Sequence, residues 1–227
     1  MRLTEKQKNP GLAFVTLFIF SISSVLSAQT DASKPFPQLL FPSFTRGIIK
    51  MKSGQTNSAV LNYNTVDEEM VLKQNGTYFV LDKPEDVDTI FIQNQKFIYV
   101  GKAFYEILIS GPVSLYIQHK SRYTSAGTAT AYGLTSQTNG SNSAVMVQAG
   151  NQIKNFDLPD NVIVAPAIAY WIKKNNEMFK FTSERQFLKI FPEKESEIKE
   201  FIRSSNLDLK VREDLIKLGG FCNGLIK

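Results

Sequence analysis

The chain has 227 residues, 43% of them hydrophobic and 21% charged, with a formal net charge of +5 at pH 7. So small a basic excess does not build the concentrated cationic face that nucleic acid requires, and no nucleic-acid partner is expected. A single cysteine, Cys222, excludes a disulfide within the chain, and a single histidine, His119, argues against a zinc centre.

The chain opens with Arg2, Lys6 and Lys8, then an apolar run from Leu12 to Leu26, then the small residues Ser27 and Ala28. That order is the pattern of a secretory signal peptide, and the run is shorter than the ~20 residues of a membrane span. Residues 1–28 are therefore expected to be removed, although Leu26 stands where alanine is usual; an uncleaved anchor is the alternative. No cysteine stands near the junction, so no diacylglyceryl anchor is expected. Loss of this segment removes three cations and one anion and lowers the net charge to about +3. The mature chain is expected to be exported to the periplasm, outer envelope or exterior, with no transmembrane segment. It is long enough for one hydrophobic core without disulfides.

Residues 29–44 contain three prolines and no clear period. They read as an extended lead-in, pinned to the body by Phe36, Phe41 and Phe44. An antiparallel β body is expected over 45–182. In "NSAVLNY", Ala59, Leu61 and Tyr63 share one face while Asn62 and Asn64 take the other, the period of a half-buried strand. Asn75-Gly76 supplies the left-handed geometry of a tight hairpin between "MVLK" and "TYFVL". "DKPEDVD" is a turn fixed by Pro84. "TIFIQNQKFIYVG" repeats strand, turn, strand. In "FYEILISGPVSLYIQH" the alternation puts Tyr105, Ile107 and Ile109 on one face, turns at Ser110 to Pro112, and returns with Val113, Leu115 and Ile117 in phase with His119. These connections are too short for crossover helices, which excludes a parallel sheet.

From 121 to 143 the composition turns to Ser, Thr, Gly, Asn and Ala. This reads as a long polar loop off the sheet, or as two polar edge strands with a loop between them. Strand-like text resumes in "AVMVQAGNQIKNFDLP" and "NVIVAPAIAYWIKKNNEMFKF", with a break or edge at Pro166 and a turn at "KKNNEM".

Residues 183–227 carry a helical period. Ser183 and Gln186 form a capping-box pattern. Phe187, Leu188 and Phe191 make one apolar stripe, and Ile198, Phe201 and Ile202 make a second. Val211, Leu215 and Leu218 make a third, which Gly219-Gly220 should stop. The expected fold is α+β: mainly an antiparallel β meander, as a curved sheet or open barrel, followed by two or three short C-terminal helices packed on it within one domain.

No catalytic, cofactor-binding or metal residue is assigned. There is no G-x-S-x-G nucleophile, and no glycine-rich loop to cradle a phosphate. Asp82, Glu85, Asp86 and Asp88 lack the spacing of a calcium loop. Cys222 is expected to be partly buried against the last helix. His119 reads as a hydrogen-bonded ring at the rim of the core. Glu106 is an acid inside an apolar strand. On an open face it is an ordinary solvated carboxylate, the preferred reading; under the helices it would need a cation, with Lys102 or Arg122 as candidates. The candidate ligand contacts are His119, Lys120, Arg122, Tyr116, Tyr123, Tyr132, Trp171 and Glu106.

The opening "FPSFTRGIIKMKSGQTNSAVLNYN", the centre "FVLDKPEDVDTIFIQNQKFIYVGKAFYEIL" and the close "FLKIFPEKESEIKEFIRSSNLDL" resemble a group of exported Bacteroidetes envelope proteins with no known activity. The resemblance implies an envelope setting and brings no binding residues. The expected function is a non-enzymatic cell-envelope binding or interaction protein, partnered by an envelope protein, peptide or glycan and needing no cofactor. Two alternatives stay open: a hydrolase of an envelope polymer or glycan using two acids near His119, and a structural subunit docking through its helices.

Overall fold

The computed structural model describes residues 36–125, 128–129, 135–136, 147–156, 158 and 162–226. The expected signal peptide, the first part of the lead-in and Tyr132 lie outside the described residues.

The strands are β1 (Thr45–Met51), β2 (Thr56–Asn64), β3 (Glu69–Gln74), β4 (Thr77–Val80), β5 (Val87–Ile92), β6 (Gln95–Val100), β7 (Ala103–Ile109), β8 (Val113–Gln118), β9 (Ser121–Ser125), β10 (Thr128–Ala129), β11 (Thr135–Ser136), β12 (Val147–Ala149), β13 (Gln152–Asn155), β14 (Val162–Pro166), β15 (Ala169–Lys174) and β16 (Glu177–Phe181). The helices are α1 (Glu184–Leu188), α2 (Glu195–Ser204) and α3 (Arg212–Leu225). Twelve strands form one antiparallel sheet in the order β12-β13-β4-β3-β2-β1-β5-β6-β7-β8-β15-β16. The α+β meander with trailing helices is thus the fold.

Local turn chemistry accounts for most of the ladder. Asn75 and Gly76 adopt φ of 50° and 80° between β3 and β4, and Asn175 and Asn176 adopt 52° and 67° between β15 and β16. Positive φ at both turn positions matches the twist of paired strands. The meander departs from chain order at three places, one of them where β15 pairs β8 after the β9–β14 excursion. A single 3-10 turn, Pro84–Asp86, carries the chain from β4 past β2 to the free edge of β1, where β5 pairs. Later β13 pairs the free edge of β4.

The sheet is open and curls, so that β3 comes against β7 across its inner face. The Tyr63 hydroxyl donates to the Phe104 carbonyl at 3.2 Å. Leu61, Tyr63, Met70, Ile90, Ile92, Phe97 and Phe104 fill the interior. The lead-in lies along β2, as the three phenylalanines suggest. Phe41 is buried in the core, while Phe36 and Phe44 pack on Tyr78 and Phe156. This cover changes the second face of β2. Asn62 and Asn64 are fully buried there. The Asn62 side chain accepts from the Phe41 N–H at 3.1 Å and donates to its carbonyl at 2.9 Å, satisfying both amide groups as burial demands.

The first part of the polar 121–143 segment is strand. β9 pairs β14 and continues the β8–β15 ladder, joined to it by a 2.6 Å hydrogen bond from Ala167 N–H to the Lys120 carbonyl. Pro166 ends β14, a position where no ladder N–H is missed. The short pair β10–β11 follows, and the remainder lies outside the described residues.

The three helices close the inner face over β7, β8, β15 and β16. Phe187, Phe191, Ile198, Ile202, Leu215 and Leu218 bury against Leu115, Ile172 and Phe181. At the start of α1 the Ser183 hydroxyl accepts from Gln186 N–H, and the Gln186 side chain accepts from Thr182 N–H at 2.7 Å, closing a capping box one residue early. Three expectations fail here. A β-bulge lies between Ile107 and Ile109 of β7, so Ile109 opposes Leu115 and leaves the Tyr105–Ile107 face. And α3 runs through Gly219 and Gly220 to Leu225. Gly219 serves close packing: a Cβ there would lie 2.6 Å from Leu115 Cδ1 and 2.7 Å from Ile109 Cγ2. Val211, exposed at 40%, precedes the helix and does not face inward. Cys222 is fully buried within α3, and burial pushes its thiol up to about 12.

The next residue, Asn223, ties α3 to the sheet, its Oδ1 accepting from Val113 N–H at 2.7 Å. Asn223→Ala is expected to cost about 1–2 kcal/mol, since it strands that N–H beside the β7–β8 turn; urea unfolding measures it.

Candidate functional site

Glu106 lies on the inner face of β7, between the interior aromatics and the helices. Its side chain is fully buried. Oε2 meets His119 Nε2 at 2.7 Å, and Oε1 accepts from Arg212 Nε at 3.0 Å and Nη2 at 2.8 Å. Burial pushes the carboxyl up, but the hydrogen bonds that His119 and Arg212 donate, reinforced by the Arg212 charge, outweigh it and hold Glu106 below the usual carboxylate value. The preferred expectation of a solvated Glu106 is therefore overturned, and so are the proposed cations. Lys102 sits in the exposed β6–β7 turn and Arg122 is exposed on β9. Arg212, the first residue of α3, takes the role. One signal was present: Arg212 precedes Leu215 by three positions, which places it on the buried stripe of the third helix.

His119 occupies the rim position that strand alternation gave it. An ionised carboxylate only accepts, so Nε2 carries the ring proton. Nδ1 makes no hydrogen bond with the described residues, and His119 is part of the wall of a cleft of about 220 Å³. The lead-in residues Pro37, Leu39 and Leu40 form one wall, Pro166 and Ile168 another. Thr65, Lys120 and Ser121 supply the polar rim. All three already make hydrogen bonds or ion pairs within the chain. The Thr65 hydroxyl donates to the Gln38 carbonyl and stands 2.9 Å from the Ser121 hydroxyl, which must then donate to it. Lys120 Nζ pairs with Glu68 Oε2 at 2.6 Å, and Gln118 Nε2 donates to the other Glu68 oxygen. Glu68, in the β2–β3 turn, thereby clamps the end of β8 to the opposite side of the curled sheet.

The remaining candidates do not converge on this cleft. Tyr116 and Trp171 oppose each other across β8 and β15 on the outer face, with Trp171 5.8 Å from Tyr105. Trp171 Nε1 donates to Gln118 Oε1 at 2.9 Å. The alternation that aligned His119 with Leu115 and Ile117 had already placed Tyr116 on the other face. Tyr123 lies on β9 with a buried hydroxyl that has no partner; burial, then the charge of Asp67, push it up to about 12. Among the described residues, no group of three His, Cys, Asp or Glu side chains is placed to hold a metal ion. Asp82, Glu85, Asp86 and Asp88 are exposed, and Asp88 pairs with Lys50 at 3.3 Å.

No protein-family model, curated protein or solved structure matches this chain. The site must therefore be read from its own chemistry. The cleft pairs apolar walls with one imidazole lone pair, held in orientation by a buried carboxylate. Among the described residues no carboxylate lines it and no hydroxyl is bonded to His119. Such a cleft accepts a hydrogen bond from a partly apolar ligand, which is the composition of most small-molecule sites. No helix among the described residues is long and apolar enough to cross a membrane.

Proposed function

We propose that this chain is an exported, non-enzymatic cell-envelope binding protein whose ligand sits in the cleft over His119. The carrying observation is that the cleft combines apolar walls with an imidazole held by a buried carboxylate, and that no carboxylate lines it among the described residues. The basic–apolar–small order of residues 1–28 and the resemblance to exported Bacteroidetes envelope proteins support the envelope setting. The ligand is part of an envelope peptide, protein or glycan that presents an N–H or O–H to Nδ1. The apolar stripes of the helices face the sheet, so the reading does not use them for docking.

The test is ligand retention. The protein is incubated with envelope extract, and what it retains is identified by mass spectrometry. His119→Ala is expected to hold the same component about ten-fold more weakly, the loss of one buried hydrogen bond. Retention of nothing above a control protein, or equal retention by the variant, counts against the proposal.

The hydrolase reading rests on one observation, the base-and-orienter pair His119–Glu106. It would use water as nucleophile, with Nδ1 as general base, and it lacks the second acid of a glycosidase pair. Turnover of an envelope glycan that is lost in both Glu106→Gln and His119→Ala would favour it.

A further inference from the structure

We propose that the free edge of β2 binds an extended acidic peptide by strand addition. The β2–β3 ladder stops at Leu61↔Leu72, while β2 continues to Thr56, paired only with β1. The direction of its main-chain groups follows from the β1–β2 hairpin. Met51 N–H bonds the Gln55 carbonyl, so Asn57, Ala59 and Leu61 point their N–H and C=O groups at β1. Tyr63, in the same phase, accepts from Leu40 N–H on that side. Thr56 and Ser58 therefore point theirs away from β1, near the tip of the β3–β4 hairpin, where no strand of the described residues pairs with them. Unpaired main-chain groups along an exposed strand are a template for another chain.

A recess of about 420 Å³ lies along this edge. Its lining includes Ala59, Val60 and Leu72 as apolar surface, and Arg46 and Lys73 as exposed cations. Neither cation pairs with a carboxylate among the described residues; Lys73 rests over the Tyr78 ring at 5.6 Å. Strand addition draws affinity from main-chain bonds and selectivity from alternate side chains. An occupant with apolar residues toward Ala59 and Leu72 and acidic residues toward Arg46 and Lys73 satisfies both. A second copy of this chain does not, because pairing β2 with β2 brings like charges together. The edge is separate from the His119 cleft, so the two proposals stand or fall independently.

The test uses the full chain and a labelled, end-blocked pentapeptide of alternating Glu and Val, with a Lys–Val counterpart. Anisotropy should show the acidic peptide binding about ten-fold more tightly than the basic one, and more weakly as salt rises. Amide exchange at Thr56 and Ser58 should slow on saturation. In the Arg46→Glu, Lys73→Glu double variant the preference should invert; both sites are exposed, so folding is retained. Equal binding of the two peptides, an unchanged preference in the variant, or unaltered exchange at Thr56 and Ser58 would overturn the proposal. So would protection of those amides that rises with protein concentration in the absence of peptide.

Discussion

Glu106→Ala is expected to destabilise the fold by about 3 kcal/mol at neutral pH, the lower end for breaking a buried charge pair. Among the described residues this carboxylate is the one anion between His119 and Arg212, and its removal takes the acceptor from both donors. The lower end applies because the Arg212 side chain is 36% exposed and can turn to water. Glu106→Gln keeps the volume and loses the charge, so most of the loss should persist in it. The pH dependence carries a definite sign. The folded-state carboxyl lies below its usual value, so its contribution is complete above about 4.3, the unfolded value. That contribution is lost as pH falls through the lower, folded-state value. The stability difference between wild type and Glu106→Gln should therefore be level from neutral pH down to about 5 and narrow below about 4.3. Urea unfolding across that range measures it. A difference that stays constant into acid, or a loss within the noise at neutral pH, would show that Glu106 is not the ion-paired hinge between β7 and α3.

What the sequence made legible follows the range of the interaction. Asn75-Gly76 and Asn175-Asn176 announce their hairpins because positive φ is a property of two neighbouring residues. The three helical stripes announce themselves because their period depends on the helix alone. His119 could be placed at the core rim by counting back to Val113. The pairing of β5 with β1 instead of β4 could not be read, since it depends on which edge is free after the sheet has curled. The bulge beside Leu108 left no mark in the alternation of β7, yet it moves Ile109 to the other face. The burial of Asn62 depends on a lead-in whose own path has no period. The cleft combines these unread features: its walls come from the lead-in and the end of β14, His119 and Lys120 come from the segment just past β8, and the anchor beneath them comes from α3. Of its residues, only His119 and Lys120 were named in advance.

The two glycines of α3 should respond to substitution in opposite directions. At Gly220 a new Cβ would meet only Ile109 Cδ1, at 3.9 Å, and the position is exposed. Gly220→Ala should therefore stabilise by about 0.5–1 kcal/mol, the helix-propensity gain alone. At Gly219 even a methyl group would press on Leu115 and Ile109, whose tips lie in the packed interface between α3 and the sheet. Gly219→Leu adds a branched chain to that contact and should cost about 3 kcal/mol, near the upper end of core overpacking. The same pair of variants separates the two meanings of Gly219-Gly220. If these residues ended the helix, both positions would prefer glycine and neither leucine nor alanine would find a packed neighbour. Because the helix continues, amide exchange beyond residue 220 should slow in Gly220→Ala and quicken in Gly219→Leu. Lifting α3 from Leu115 also draws Arg212, two turns earlier, away from Glu106. Gly219→Leu should then weaken ligand retention in the His119 cleft without altering any residue of its lining, and Gly220→Ala should leave retention unchanged. Matching effects of the two variants on both stability and retention would mean that α3 does not hold the floor of the cleft in place.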